Sequence, residues 1–140
     1  MKGKTINELS IGESASTTMT VTSERIELFA EVSGDFNPIH LDDEAAKESI
    51  FGRRISHGML IASMFSAILA NQLPGNGCIY LGQELRFMKP VFIDDVITAT
   101  VTVKELIVEK NRVILDTVAV NQNGDVVISG TATIMPVKGE

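Results

Sequence analysis

The chain holds two histidines, and both fall in one stretch, SGDFNPIHLDDEAAKESIFGRRISHGMLIASMFS, between Ser33 and Ser66. Within it Asp35 and His40 stand five positions apart across a bend. Pro38 enforces that bend, because proline fixes its own φ and drives Asn37 toward extended backbone. A carboxylate and an imidazole brought to one water can take a proton from it and supply a proton elsewhere, which is general acid and base work. An imidazole whose ordinary pKa is about 6.5 suits either role at neutral pH. The same residue types also serve turns for backbone reasons alone, so a purely structural reading of the bend stands beside the chemical one.

His57-Gly58 opens an apolar run. The first amides of a helix have no partner inside the helix, and a glycine lets a ligand oxygen come close to them. An amide aimed at a thioester or carbonyl oxygen would stabilise the enolate-like charge that builds up during addition to an adjacent double bond. An ordinary loop-to-helix glycine explains the residue equally well, and His57 then caps or packs. Ser66 falls two turns into the run, where a hydroxyl among apolar neighbours usually bonds back to the preceding turn. Arg53 and Arg54 offer charge-assisted bonds to phosphate or a solvated loop face. Two histidines and one cysteine at unrelated spacings make no metal ligand set, and no phosphate-cradling glycine motif occurs.

These groups need elements to hold them. Alternation from Ser14 to Val21 predicts a first strand, and Thr22 or Ser23 then caps a short helix with Ile26, Phe29 and Ala30 at helical spacing, stopped by Gly34. A second short helix is expected from about Asp43 to Ser49 and a loop from Ile50 to Ser56. Met59, Leu60, Ile61, Met64, Phe65, Ile68 and Leu69 cover most of a helix surface, which predicts a buried helix ended by Pro74-Gly75. Strands follow at Ile79 to Phe87, in VITATVTVKEL, and from Arg112 to Val120 and Val126 to Val137 around the hairpin signal Asn123-Gly124, with a further apolar group at Val91-Phe92-Ile93. Five antiparallel strands and one long helix give an α+β fold in which the sheet wraps the helix.

The 140 residues suit a single domain spanning the whole chain, with enough core to fold without staples. A formal charge of −6 excludes a basic nucleic-acid surface, and the lone Cys78 excludes an internal disulfide. The N-terminal MKGKTINELSIGESAS lacks the apolar core of a signal peptide, and the apolar run from Met59 to Ala70 is too short to span a bilayer, so no membrane role and a cytoplasmic location are expected.

Taken together, Gly34-Asp35-Phe36-Asn37-Pro38-Ile39-His40 followed by Ser56-His57-Gly58-Met59 resembles the signature of the MaoC-like, (R)-specific enoyl-CoA hydratases. The helix MLIASMFSAILANQLPG, the stretch IYLGQELRFMKPVF and DDVITATVTV extend the similarity to the short members that feed (3R)-hydroxyacyl units to polyester (polyhydroxyalkanoate) synthesis. The resemblance implies a hot dog fold and a homodimer joined through its sheets. It implies a catalytic dyad of Asp35 and His40, with Asp35 as base toward the water and His40 as proton donor to C2. It further implies an oxyanion donor at the Gly58 amide, a site-lining Ser66 and a bracing Asn37. No cofactor is expected beyond the coenzyme A of the acyl-CoA thioester substrate. Ile61 and Leu69 are candidates to narrow the pocket to short or medium acyl groups, and Arg53, Arg54 and Lys89 are candidates to meet the coenzyme A phosphates.

Three rivals stand against this. A hot dog thioesterase ordinarily carries a carboxylate on the central helix, and Gly58 to Leu73 contains neither Asp nor Glu. A dehydratase acting on carrier-protein thioesters would run the same chemistry backwards, favoured by a basic docking face that this acidic chain does not offer. A non-catalytic acyl-CoA binding module would fit a broken dyad, and here both members are present.

Overall fold

The computed structural model describes residues 2–139. In chain order it contains β1 (Ser14–Thr20), α1 (Ser23–Ser33), α2 (Pro38–Leu41), α3 (Asp43–Lys47), α4 (Gly58–Asn71), β2 (Ile79–Phe87), β3 (Val96–Ile107), β4 (Arg112–Val120) and β5 (Val126–Met135), with single 3₁₀ turns at Ile6–Glu8 and Val108–Lys110. The five strands form one sheet in the order β1-β3-β4-β5-β2, and every pairing is antiparallel.

Strand periodicity decides which face meets the helix. Ile97, Ala99, Val101 and Val103 of β3, with Val113, Leu115, Thr117 and Ala119 of β4, are buried, and the residues between them are not. Successive side chains of a strand point to opposite faces, so these eight share the face that packs on α4. From the helix, Ile61, Phe65, Ile68 and Leu69 fill that face and are essentially inaccessible to solvent. Full burial of each such side chain contributes about 1.5–3 kcal/mol. Irregularities at Tyr80/Gly82, Val103/Glu105 and Ala119/Val120 interrupt the register. Bulges of this kind bend and twist a sheet, which lets it curl around one helix.

Several details depart from the expectations. The central helix is not buried all round: Met59, Ser63, Ser66, Ala67 and Ala70 lie exposed along one stripe, because the sheet encloses only the other side. The apolar group at Val91 to Ile93 forms no strand, and Phe92 makes only an isolated bridge with Ile55. The bend at Pro38 is itself one turn of helix, α2, with proline in its first turn, where a missing N–H costs nothing. The second short helix ends at Lys47 and the last strand at Met135.

Candidate active site

The turn that carries Asp35 is built by a relay of side-chain acceptors. Thr22 Oγ1 caps α1 by accepting the Arg25 amide, and Gly34 stops that helix in the left-handed region at φ 80°. Ser33 Oγ then accepts the Asp35 amide at 3.1 Å, Asp35 Oδ1 the Asn37 amide at 3.2 Å, and Asn37 Oδ1 the Ile39 amide at 3.2 Å. Each oxygen catches the amide two residues ahead, the local bonding for which Asp, Asn and Ser are favoured in turns. Asn37 thereby caps α2 and fixes the bend.

One turn on, His40 is 8% exposed, and its Nδ1 lies 2.8 Å from the Ile55 carbonyl oxygen. A carbonyl can only accept, so Nδ1 carries the hydrogen and Nε2 keeps a bare lone pair. Burial pushes the His40 pKa below its ordinary value; the Ile55 carbonyl opposes this more weakly, His57 adds to it and Asp35 opposes it. With its hydrogen on Nδ1, the ring presents Nε2 to the cavity as an acceptor.

His57, left by the sequence as a cap or filler, belongs to the cluster. Its ring lies 3.9 Å from that of His40, tilted by 30°, and 4.9 Å from Phe29, and its Nε2 donates to the Asp35 carbonyl at 2.9 Å. Asp35, His40 and His57 thus offer ligand atoms within 4.8 Å of one another, a proximity that spacing alone did not reveal. They fit a metal poorly all the same. His40 Nδ1 and His57 Nε2 are committed to carbonyls, and His57 Nδ1 is sealed from the cavity with no partner. A carboxylate and one imidazole nitrogen remain, short of the three or four protein donors a metal site takes.

These residues line a cavity of about 470 Å³, with Gly58, Met59 and Ile61 of α4 on one side and Phe87 to Val91 on the other. Its walls are mostly apolar with a few convergent polar groups, the usual make-up of a small-molecule site. Gly58 begins α4, so its amide has no partner within the helix and sits at the positive end of a 14-residue helix dipole. A Cβ here would come within 2.5 Å of the Phe87 ring, so the glycine is also required by packing.

The remaining candidates divide. Ile61 is on the cavity wall, whereas Leu69, two turns further along α4, is buried in the core and lines neither that cavity nor the depression beside it. Ser66 is absent from the dyad's cavity: helical phase turns it, with Met59, Ala62 and Ser63, toward a neighbouring depression of about 540 Å³ under β2. Arg54 is turned inward. It donates from Nε to the His40 carbonyl at 2.7 Å and approaches Asp43 at 4.0 Å, with its side chain only 10% exposed, so it steadies α2 and offers little to a phosphate. Arg53 lies over the Phe92 ring at 3.8 Å, and Lys89 pairs with Asp125 at 3.5 Å; both border a hollow of about 240 Å³, and Lys89 also lines the main cavity.

Residues 7–125 match the model of the MaoC like domain. The chain belongs to the MaoC-like family. This MaoC-like chain is 46% identical to the (R)-specific enoyl-CoA hydratase of Rhodospirillum rubrum, over 91% of its own length and 89% of the relative's. It is 43% identical to the (R)-specific enoyl-CoA hydratase of Aeromonas caviae, over 90% and 94%. Among solved structures it superimposes on the R-hydratase PhaJ1 of Pseudomonas aeruginosa with a TM-score of 0.92 and 42% identity, covering 98% of this chain and 88% of that one. The MaoC-like sheet wrapped around α4 is accordingly the α+β hot dog fold.

Proposed function

We propose that the protein is an (R)-specific enoyl-CoA hydratase, a hydro-lyase that adds water to trans-2-enoyl-CoA and yields (3R)-3-hydroxyacyl-CoA. One observation carries this most: a carboxylate and an imidazole with a free Nε2 lone pair meet on an apolar cavity beside the open first turn of α4. Water held between Asp35 and His40 loses a proton to His40 Nε2 as its oxygen bonds to C3. The C2–C3 π electrons move toward the thioester carbonyl, where the Gly58 amide and the α4 dipole stabilise the developing negative charge. The imidazolium then returns the same proton to C2, so both parts of the water reach one face of the alkene. His40 is still the donor to C2, but of a proton it has first accepted. The Asp35 carboxylate orients the water and balances the imidazolium. The (R) outcome rests on the two relatives that bear that name.

Ile61 at the cavity wall supports short or medium acyl chains, and Lys89 on that wall, with Arg53 on the neighbouring hollow that Lys89 also borders, are the cations we assign to the coenzyme A phosphates. We further propose a cytoplasmic homodimer; no helix among the described residues is long and apolar enough to cross a membrane. β2 is an edge strand that exposes Ile79, Tyr80, Leu81 and Phe87, with Met88 beyond it. An apolar, unpaired edge is a template for a second chain. Sedimentation should give twice 15.1 kDa, and a species of 15.1 kDa at micromolar concentration would overturn the dimer.

The test of the reaction is incubation with crotonyl-CoA. Loss of the enoyl-thioester absorbance with formation of (3R)-3-hydroxybutyryl-CoA is expected, whereas release of free thiol would indicate a thioesterase. Because His40 works as the neutral base, its lowered pKa sets the sign of the pH dependence. The kcat/KM for crotonyl-CoA should hold level through pH 7 and fall only below about 6.5, the unperturbed histidine value. A fall beginning above pH 7 would contradict this role.

A further inference from the structure

We infer that His57 is a positioning residue: its ring, wedged between the main chain of Asp35 and the imidazole of His40, holds the dyad in register with the first turn of α4. The inference rests on the hydratase reading of the site. The dyad and the Gly58 amide lie on separate segments, and catalysis needs them fixed relative to one another. His57 spans the gap, reaching 22 residues back along the chain to the Asp35 carbonyl.

What His57 does not do is informative. It occupies the position before α4, yet its side chain makes no capping bond; only its carbonyl serves the helix, accepting the Leu60 amide at 3.2 Å and the Ser56 hydroxyl at 3.0 Å. The imidazole is spent instead on Asp35, on the face of His40 and on Phe29. Donation to a carbonyl fixes the hydrogen on Nε2, which leaves Nδ1 buried with no partner. A phenylalanine would fill the same 2% exposed space without an orphaned acceptor. Ring shape therefore does not explain the histidine, and the directed Nε2–H does.

The two rings hold opposite tautomers, hydrogen on Nδ1 in His40 and on Nε2 in His57, each pinned by a main-chain carbonyl. Of the charged and titratable groups, Asp35 faces His40 from its own turn, His57 from the start of α4, and Arg54 through the His40 carbonyl from the preceding loop. Burial is the main cause that keeps a second proton off His40, and the His57 ring stacked on it at 3.9 Å adds to that lowering.

His57→Phe keeps a ring and deletes the donor; His57→Gln keeps an N–H near the Nε2 position and deletes the ring. Both are assayed on crotonyl-CoA, and both are examined by ¹⁵N-resolved NMR of the imidazoles, which in a chain with two histidines reads tautomer and titration directly. In His57→Phe, kcat should fall about 10- to 100-fold with KM within about threefold, the cost of a misplaced reacting group. His57→Gln should recover most of that. In both variants the His40 titration and the acid limb of kcat/KM should move to higher pH. Unchanged kcat in folded His57→Phe, or equal losses in both variants with the His40 titration unmoved, would overturn the inference. Should His57→Phe not fold, His57→Gln decides by the His40 titration alone. Should the wild type hydrate no enoyl-CoA, the proposed function fails separately; the inference then stands or falls on whether His57 carries its hydrogen on Nε2 and displaces the His40 titration.

Discussion

Replacing Asp35 by Asn is expected to lower kcat on crotonyl-CoA by about 10²–10⁴-fold while leaving the fold intact, the range by which a positioned acid or base ordinarily contributes. Asparagine retains an Oδ1 that can accept the Asn37 amide, so the acceptor relay through Ser33, Asp35 and Asn37 survives. Asp35 is exposed, and an exposed substitution that keeps its local bonds usually changes stability by no more than about 0.5 kcal/mol. Only the charge that holds the water and balances the imidazolium is lost. His40→Asn tests the other member. Its amide nitrogen falls near the position of Nδ1 and can still meet the Ile55 carbonyl, but no basic nitrogen remains at Nε2. Its loss in kcat should match that of Asp35→Asn, with some loss of stability because a buried ring is gone. The double variant should be little worse than either alone, because residues that act as a unit do not contribute additively. Measured kcat with thermal unfolding of each protein decides it; wild-type turnover in Asp35→Asn would end the dyad assignment.

Those two residues were legible because their surroundings leave local marks. Asp, Asn and Pro at fixed offsets write the acceptor relay directly into the chain, and Asn37 before Pro38 is both cap and brake. The hairpin at Asn123-Gly124 was equally plain: Gly124 has φ 81° and the Asn121 side chain accepts the amides of Asn123 and Asp125. Alternation along VITATVTVKEL foretold β3. What the chain does not spell is direction in space. A histidine before a helix-opening glycine reads the same whether it caps, packs or reaches back to Asp35, so the part His57 plays emerges only when the two segments meet. Arg54 and Arg53 are adjacent and chemically alike, yet one is folded under His40 and the other lies over Phe92. Leu69 and Ser66 fall on the helix at spacings compatible with a pocket wall, and only the curl of the sheet decides that one is core and the other faces the depression under β2. The tautomer of His40 depends on the Ile55 carbonyl, 15 residues away.

Gly130, unremarkable within ISGTATI, should prove the least replaceable residue outside the dyad. Gly130 pairs with Leu85 of β2 on one side and Thr117 of β4 on the other, and a Cβ placed on it would lie 1.8 Å from the Glu84 carbonyl oxygen and 2.8 Å from its carbon. The obstacle is main chain, so no rotamer change relieves it. A glycine inside a strand marks such close backbone approach. Gly130→Ala must therefore push β2 away from β5 or break their ladder, and overpacking of that severity should cost about 3 kcal/mol or more. For a domain of this size the midpoint of thermal unfolding should fall by about 10 °C or more. Gly82→Ala, on the same edge strand, is the control: its added Cβ meets only the Thr133 Cβ, at 4.0 Å, and should cost no more than about 1 kcal/mol. The consequence reaches the site, because β2 ends in Phe87, whose ring packs on Gly58 and lines the cavity. Displacing β2 shifts that wall while leaving the turn from Ser33 to His40 untouched. Whatever fraction of Gly130→Ala remains folded should thus show a raised KM for crotonyl-CoA with kcat reduced far less than in Asp35→Asn. Equal thermal midpoints for Gly130→Ala and Gly82→Ala would mean that β2 and β5 do not approach as closely as described, and the wall of the cavity would have to be redrawn with them.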